Sequence, residues 1–156
     1  MKHILVATDF SETAAAALAY AAKLAHLAGA KITLLHVIFA DKLTETLLGL
    51  EAMEYLARAA DEAERGPGGA FERLREAANE KLGEAVAALP EPRPKIETVV
   101  AEGRPSVEIA AYAEKNGVDH IVIGTHGRSA LGKAFLGSVA DHLIRQADVP
   151  VTVVRK

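Results

Sequence analysis

The residues with the most chemical content lie between Gly124 and Ser138, in the stretch GTHGRSALGKAFLGS, which holds four glycines, two bases and two serines. Glycine admits positive φ and lets a backbone approach a ligand without a Cβ in the way. Two spacings compete. Gly127, four residues and then Gly132-Lys133 imitate a Walker A loop, but that loop needs a Ser or Thr after the lysine to ligate magnesium. Ala134 stands there instead, and the apolar pattern starts the next helix only near Ser138. The second spacing is Gly124, two residues, Gly127, nine residues, then Gly137-Ser138. It puts Gly137 and Ser138 where backbone N–H groups and the positive end of a helix dipole converge, the ordinary device for an anion. Arg128 and Lys133 add positive charge. These are the components of a polyphosphate cradle; the alternative is a plain strand-to-helix loop with Ser138 as an N-cap, which needs no ligand.

A carboxylate, Asp9, follows the first apolar run (ILVATD). Receiver domains also carry acids at the end of the first strand, but their phospho-acceptor ends the third. The corresponding residues here are Ala101-Glu102-Gly103, so a phospho-acceptor role for Asp9 is disfavoured. The six histidines form no HxxxH or HExxH pair. His3, His36 and His120 fall at strand positions and are read as structural. His126 lies in the glycine loop, as a ligand contact or as a solvated side chain. Neither a Ser-His-Asp order nor a nucleophile elbow is present.

To position these groups the chain needs strands ending at Asp9 and Gly124. Five Val/Ile-rich runs with little alternation supply them: Ile4 to Thr8, Lys31 to Ile38, Lys95 to Ala101, His120 to Gly124 and Pro150 to Val154. Such runs read as parallel strands covered on both faces. Helical patterns between them predict an α/β fold, a doubly wound five-stranded parallel sheet of order 3-2-1-4-5 with helices on both faces. In that order strands one and four are neighbours, and ligands bind outside their carboxyl ends. Ser11 is the predicted N-cap of the first helix and Gly29 its C-terminal stop. Tyr20, Leu24 and Leu27 are predicted to share its apolar face with Ala17, Ala21 and Ala28. Pro105 and Gly117 bracket another helix. The last helix, about Ser138 to Ala147, carries Val139, Leu143 and Ala147 on one face and an Asp141–Arg145 pair on the other. Between strands two and three, a variable region of about 39–94 predicts a helical insertion. Its helices run roughly from Lys42 to Ala63 and from Ala70 to Leu89, divided by ERGPGGAF and ended by PEPRP.

The bulk numbers bound the function. At 156 residues the chain is expected to be one domain, 1–156. With no cysteine it has neither disulfides nor thiolate chemistry. A net charge of −3 and few aromatics give no footprint for nucleic acid. The first apolar run stops at Asp9, too early for a signal peptide, and no run approaches a membrane span. A cytoplasmic protein that engages neither membrane nor nucleic acid is expected.

With these residues in view, the sequence resembles the universal stress proteins (UspA-like), in particular their ATP-binding subclass. The pattern G-x2-G-x9-G-[S/T] is met by Gly124, Gly127, Gly137 and Ser138, and ILVATDFSETAAAAL, LLHV, GVDHIVIGTHGRS and ADVPVTVVR agree along the flanks. The resemblance spans the chain except about 39–94. It implies an adenine-nucleotide site, ATP with Mg2+ or Mn2+. Ala7, Thr8 and Asp9 would form its first edge, with Asp9 near the ribose or a phosphate-bound metal ion. Val37 and Ile123 would border adenine. Gly124, Gly127, Arg128, Gly137, Ser138 and Val139 would surround ribose and phosphates.

Three functions follow from this. The favoured one is a regulatory or signalling module in the stress response, whose nucleotide state changes its surface for a protein partner that the sequence does not identify. The others are a slow ATPase or phosphotransferase, and an interaction module that uses no nucleotide. No residue stands out as a base to orient an attacking water, so an enzyme is disfavoured. The terminal strand, PVTVVRK, is an apolar edge in the 3-2-1-4-5 order. Such edges are covered or paired in natural proteins, and a homodimer through this strand is expected.

Overall fold

A computed structural model describes residues 1–39, 69–125 and 136–155, without the side chains of 69–71. The expected Lys42–Ala63 helix and the glycine joint before Gly69 lie outside the described residues, as do His126, Gly127, Arg128, Lys133 and Ala134. Five strands form one parallel sheet in the order β3-β2-β1-β4-β5, as the sequence predicts. They are β1 (His3–Thr8), β2 (Lys31–Ile38), β3 (Ile96–Glu102), β4 (His120–Gly124) and β5 (Val151–Val154). Four helices are described, α1 (Glu12–Ala28), α2 (Gly69–Ala87), α3 (Pro105–Lys115) and α4 (Ser138–Gln146). None of these is long and apolar enough to cross a membrane.

Alternate strand residues feed two cores, as the period-2 geometry of a strand requires. Ile4, Val6, Ile32, Leu34 and Val122 meet Ala17, Leu18 and Ala21 of α1 and Leu82 of α2 on one face. Leu5, Ala7, Leu35, Ile121 and Ile123 meet Ile109 and Ala113 of α3 and Ala140 and Leu143 of α4 on the other. The uninterrupted burial expected of all five strands holds for most of β1, β2 and β4. β3 leaves Glu97 and Thr98 exposed, and β5 is half-buried throughout. Both lie at sheet edges, where one side of the strand has no strand neighbour among the described residues.

Ser11 caps α1, its Oγ accepting the Ala14 N–H at 3.3 Å, and Gly29 ends it at φ 63°. The predicted apolar face of α1 is rotated. The buried line is Thr13, Ala14, Ala17, Leu18, Ala21 and Ala25, while Tyr20 and Leu27 are 45% and 84% exposed. Small side chains let the helix axis approach the sheet, with Leu18 the one large residue in the line, and Tyr20 and Leu27 are displaced to the rim. The second of the two helices expected between strands two and three, Ala70 to Leu89, is α2. α2 buries Ala78 and Leu82 against the sheet and packs on β2 and β3. It packs as the β2–β3 crossover helix, and residues 40–68 lie outside the described residues. Pro105 opens α3 and Gly117 follows it at φ 60°. On α4 the Asp141–Arg145 pair closes at 3.1 Å.

Two of the strand histidines have structural partners at the amino end of the sheet. Buried His3 faces the Asn116 carbonyl through Nδ1 (3.3 Å) and the Thr33 hydroxyl through Nε2 (2.8 Å). A carbonyl only accepts, so Nδ1 carries the hydrogen and Nε2 accepts from Thr33. Burial, seconded by the Lys31 charge, pushes the His3 pKa below its ordinary value. His120 meets the Thr152 hydroxyl at 2.7 Å, and burial lowers its pKa as well. Asp119 accepts the N–H groups of Lys2 and His3, which hold its carboxyl below the usual range.

Candidate functional site

The carboxyl end of the sheet gathers every described candidate residue. Ala7 on β1 lies opposite Ile123 on β4, and Thr8 lies opposite His36 on β2. Val37 is one residue further along β2, opposite Ala101. Ala7, Val37, Ile123 and Val139 belong to the same core cluster, between the sheet and the α3/α4 layer. They form an apolar floor below the strand ends, with Ala7 and Ile123 nearly closed to solvent and Val37 and Val139 half-buried.

The β4 end and the start of α4 are tied together. The Gly137 N–H donates to the Thr125 carbonyl at 2.6 Å, and the Thr125 N–H donates to the Val154 carbonyl at 3.0 Å. The chain therefore leaves the sheet after Thr125 and returns to the same point at Gly137. There α4 begins with Gly137 as N-cap, in extended backbone (φ −65°, ψ 148°), with its carbonyl accepting the Asp141 N–H at 2.9 Å. The sequence offered Ser138 as this cap. It is instead the first helical residue, and its side chain is exposed. A glycine cap has no side chain to accept the first-turn N–H groups, and the amino end of a helix carries the positive potential that suits an anion.

A tight turn follows β1. The Phe10 N–H donates to Thr8 Oγ1 and the Ser11 N–H to Asp9 Oδ1, both at 3.1 Å. Phe10 at its centre adopts φ 63°, a left-handed conformation that costs an ordinary residue about 1–2 kcal/mol. The Phe10 ring lies 4.4 Å from the His36 ring, and the Lys81 ammonium of α2 lies 5.8 Å over it. His36 Nδ1 donates to the Thr8 carbonyl at 2.8 Å.

Gly124 has a role the sequence did not reveal. A Cβ there would stand 2.8 Å from the Thr13 carbonyl carbon and 3.0 Å from the Ala14 nitrogen. The glycine lets β4 and the first turn of α1 touch. The alanine run of α1 was the only signal for that close approach. The sequence also left Phe10, Thr125 and His36 outside the site; DFS and LLHV marked two of them without saying what they touch. Gly127 and Arg128 lie outside the described residues. Among those described, no group of three or more His, Asp or Glu side chains is placed to hold a metal ion.

A doubly wound parallel sheet of order 3-2-1-4-5, with a carboxylate following β1 and a glycine-capped helix returning to the end of β4, defines a Rossmann-like α/β class. Within that class the chain belongs to the universal stress protein family, whose profile matches residues 1–155. It is 32% identical to universal stress protein MJ0577 of Methanocaldococcus jannaschii, over 99% of this chain and 95% of that protein. The solved structure of MJ0577 superposes with a TM-score of 0.75, covering 99% and 96% of the two chains. YxiE of Bacillus subtilis is 32% identical over 97% of each chain. The solved universal stress protein of Archaeoglobus fulgidus in complex with dAMP is 25% identical, with a TM-score of 0.65 and coverage of 99% and 98%.

Proposed function

We propose that this single-domain chain binds ATP, with Mg2+ or Mn2+, at the carboxyl ends of β1 and β4, and serves in the cytoplasm as a nucleotide-dependent regulatory module of the stress response. The observation that carries this reading is that Asp9, after β1, and the glycine-capped start of α4, tied to the end of β4, follow neighbouring strand ends at the switch point, over an apolar floor. Ala7, Val37 and Ile123 suit the base. Gly124, Gly137, Ser138 and Val139 suit ribose and phosphates through backbone donors, with Gly127 and Arg128 added on the sequence pattern alone. Asp9 would hold the metal ion, whose remaining ligands would have to come from phosphate oxygens. The metal would neutralise phosphate charge beside that carboxylate. The dAMP complex of the Archaeoglobus fulgidus relative supports an adenine nucleotide as the ligand class. A protein partner would read the nucleotide state, and the outer edge of β5, unpaired among the described residues, would pair two copies.

Calorimetric titration of ATP with and without Mg2+ tests the site. Asp9→Asn keeps the Oδ1 acceptor that the Ser11 N–H uses but loses the charge. It should weaken Mg2+–ATP binding by about 1.5–3 kcal/mol, the worth of a charged hydrogen-bonding group, and leave the fold intact. Equal affinities for wild type and variant would remove Asp9 from the site. No binding of any adenine nucleotide by wild type would overturn the reading.

A further inference from the structure

We propose that His36 is a positioning residue for this site, fixing through Thr8 and Phe10 the turn that presents Asp9. The inference rests on the nucleotide reading above. A backbone carbonyl only accepts, so the 2.8 Å contact between His36 Nδ1 and the Thr8 oxygen fixes the imidazole with its hydrogen on Nδ1. Successive carbonyls of β1 face opposite neighbours: Lys2 accepts from Lys31 at the head of β2, and His3 from Asp119 at the head of β4. Thr8 is in phase with Lys2, so its carbonyl belongs to the β2 side, where His36 sits. Across a trans peptide the N–H points opposite to the C=O. Holding the Thr8 carbonyl therefore turns the Asp9 N–H to the β4 side, where Thr125 and Gly137 close the loop.

The same imidazole acts a second time on the turn. Phe10 at φ 63° is a conformation that a non-glycine residue keeps only when its surroundings hold it. Its ring lies against His36, inclined at 36°, with the Lys81 ammonium over it. The Phe10 and Ser11 N–H groups then fall to Thr8 Oγ1 and Asp9 Oδ1. One side chain on β2 thus holds the peptide before Asp9 and the residue after it. A histidine that served only to fill the sheet face would need neither contact.

Three variants separate positioning from filling. In His36→Asn the amide nitrogen takes the place of Nδ1 and keeps the donor to Thr8. His36→Gln carries its amide one bond further out, in the place of Nε2. His36→Phe keeps a ring for Phe10 to stack on but has no donor. Mg2+–ATP affinity is measured by calorimetry, melting by circular dichroism, and the turn by the amide resonances of Asp9, Phe10 and Ser11 without nucleotide. The expected result is affinity lowered about three- to ten-fold in Phe and Gln, the range of one lost hydrogen bond, and partly recovered in Asn, which restores the donor but not the ring. The turn amides should shift in Phe and Gln and return in Asn. Phe and Gln variants that bind as tightly as Asn overturn the proposal, whatever their melting temperatures. So does an Asn variant as weak as Gln. If Phe does not fold, the Asn–Gln order decides alone. If wild type binds no nucleotide, the nucleotide reading fails and the amide shifts decide: unmoved turn resonances in Phe and Gln overturn the role of His36, and movement reversed in Asn upholds it.

Discussion

Gly124→Ala should destabilise the protein even without ligand. The Cβ would lie 2.8 Å from both the Thr13 carbonyl carbon and its Oγ1, and 3.0 Å from the Ala14 nitrogen. Ordinary carbon contacts are about 3.5–4.0 Å, so the end of β4 and the first turn of α1 must separate by roughly half an ångström or more. Two of the three atoms are backbone, and no rotamer change relieves them. Forcing an extra methyl into such a contact costs about 1–3 kcal/mol. Gly124 has no left-handed φ, so alanine brings no backbone strain and returns about 0.5–1 kcal/mol of chain entropy in a strand. A net loss of about 1–2 kcal/mol should lower Tm by roughly 2–8 °C for a chain of this length. Thr13→Ala in the same chain removes the Oγ1 contact but also its 3.1 Å hydrogen bond with the Ser11 hydroxyl, so it should rescue only part of the loss. Thermal and urea unfolding of the nucleotide-free protein measure both variants. If Gly124 served ligand approach alone, the unliganded Ala variant would melt with wild type, and that result would refute the packing argument.

Two further outcomes are expected. Light scattering should give twice the chain mass, through antiparallel pairing of β5 edges. The Pro150 and Val154 carbonyls accept from β4, so by alternation the backbone of Val151 and Val153 faces outward. Val153→Pro should therefore yield monomer while sparing the pairing to β4; a wild-type monomer at micromolar concentration would sink the dimer. His3 and His120 have pKa values lowered by burial from the ordinary 6.5, so the unfolded chain takes up protons first on acidification. Their contribution is complete above about 6.5 and is lost as pH falls through the lower folded values. Tm should drop as pH falls below about 6.5. His120→Gln, which keeps an amide toward Thr152, should flatten that slope; a Tm flat across the window in wild type would contradict it. The depressed carboxyl of Asp119 titrates below 3.8 and does not enter the window.

Beyond the sheet order, which the fold class and the family resemblance implied, the sequence by itself determined the strand positions to within a residue and the caps at Ser11 and Gly29. These are local or periodic properties: Val/Ile runs, a serine before a helix and a glycine after one. The tertiary structure decided what depends on which surfaces meet. Alanine periodicity cannot tell which side of α1 faces the sheet. The close approach of β4 decides it, placing Gly124 against Thr13 and turning Tyr20 and Leu27 to solvent. Composition made residues 69–87 look like part of an insertion; burial of Leu82 makes them the crossover helix. His36 and Thr8 are 28 residues apart, and only strand pairing makes them neighbours. No local pattern carries a contact between an imidazole on one strand and a carbonyl on the next, because the sheet register that creates it exists only after the chain has folded.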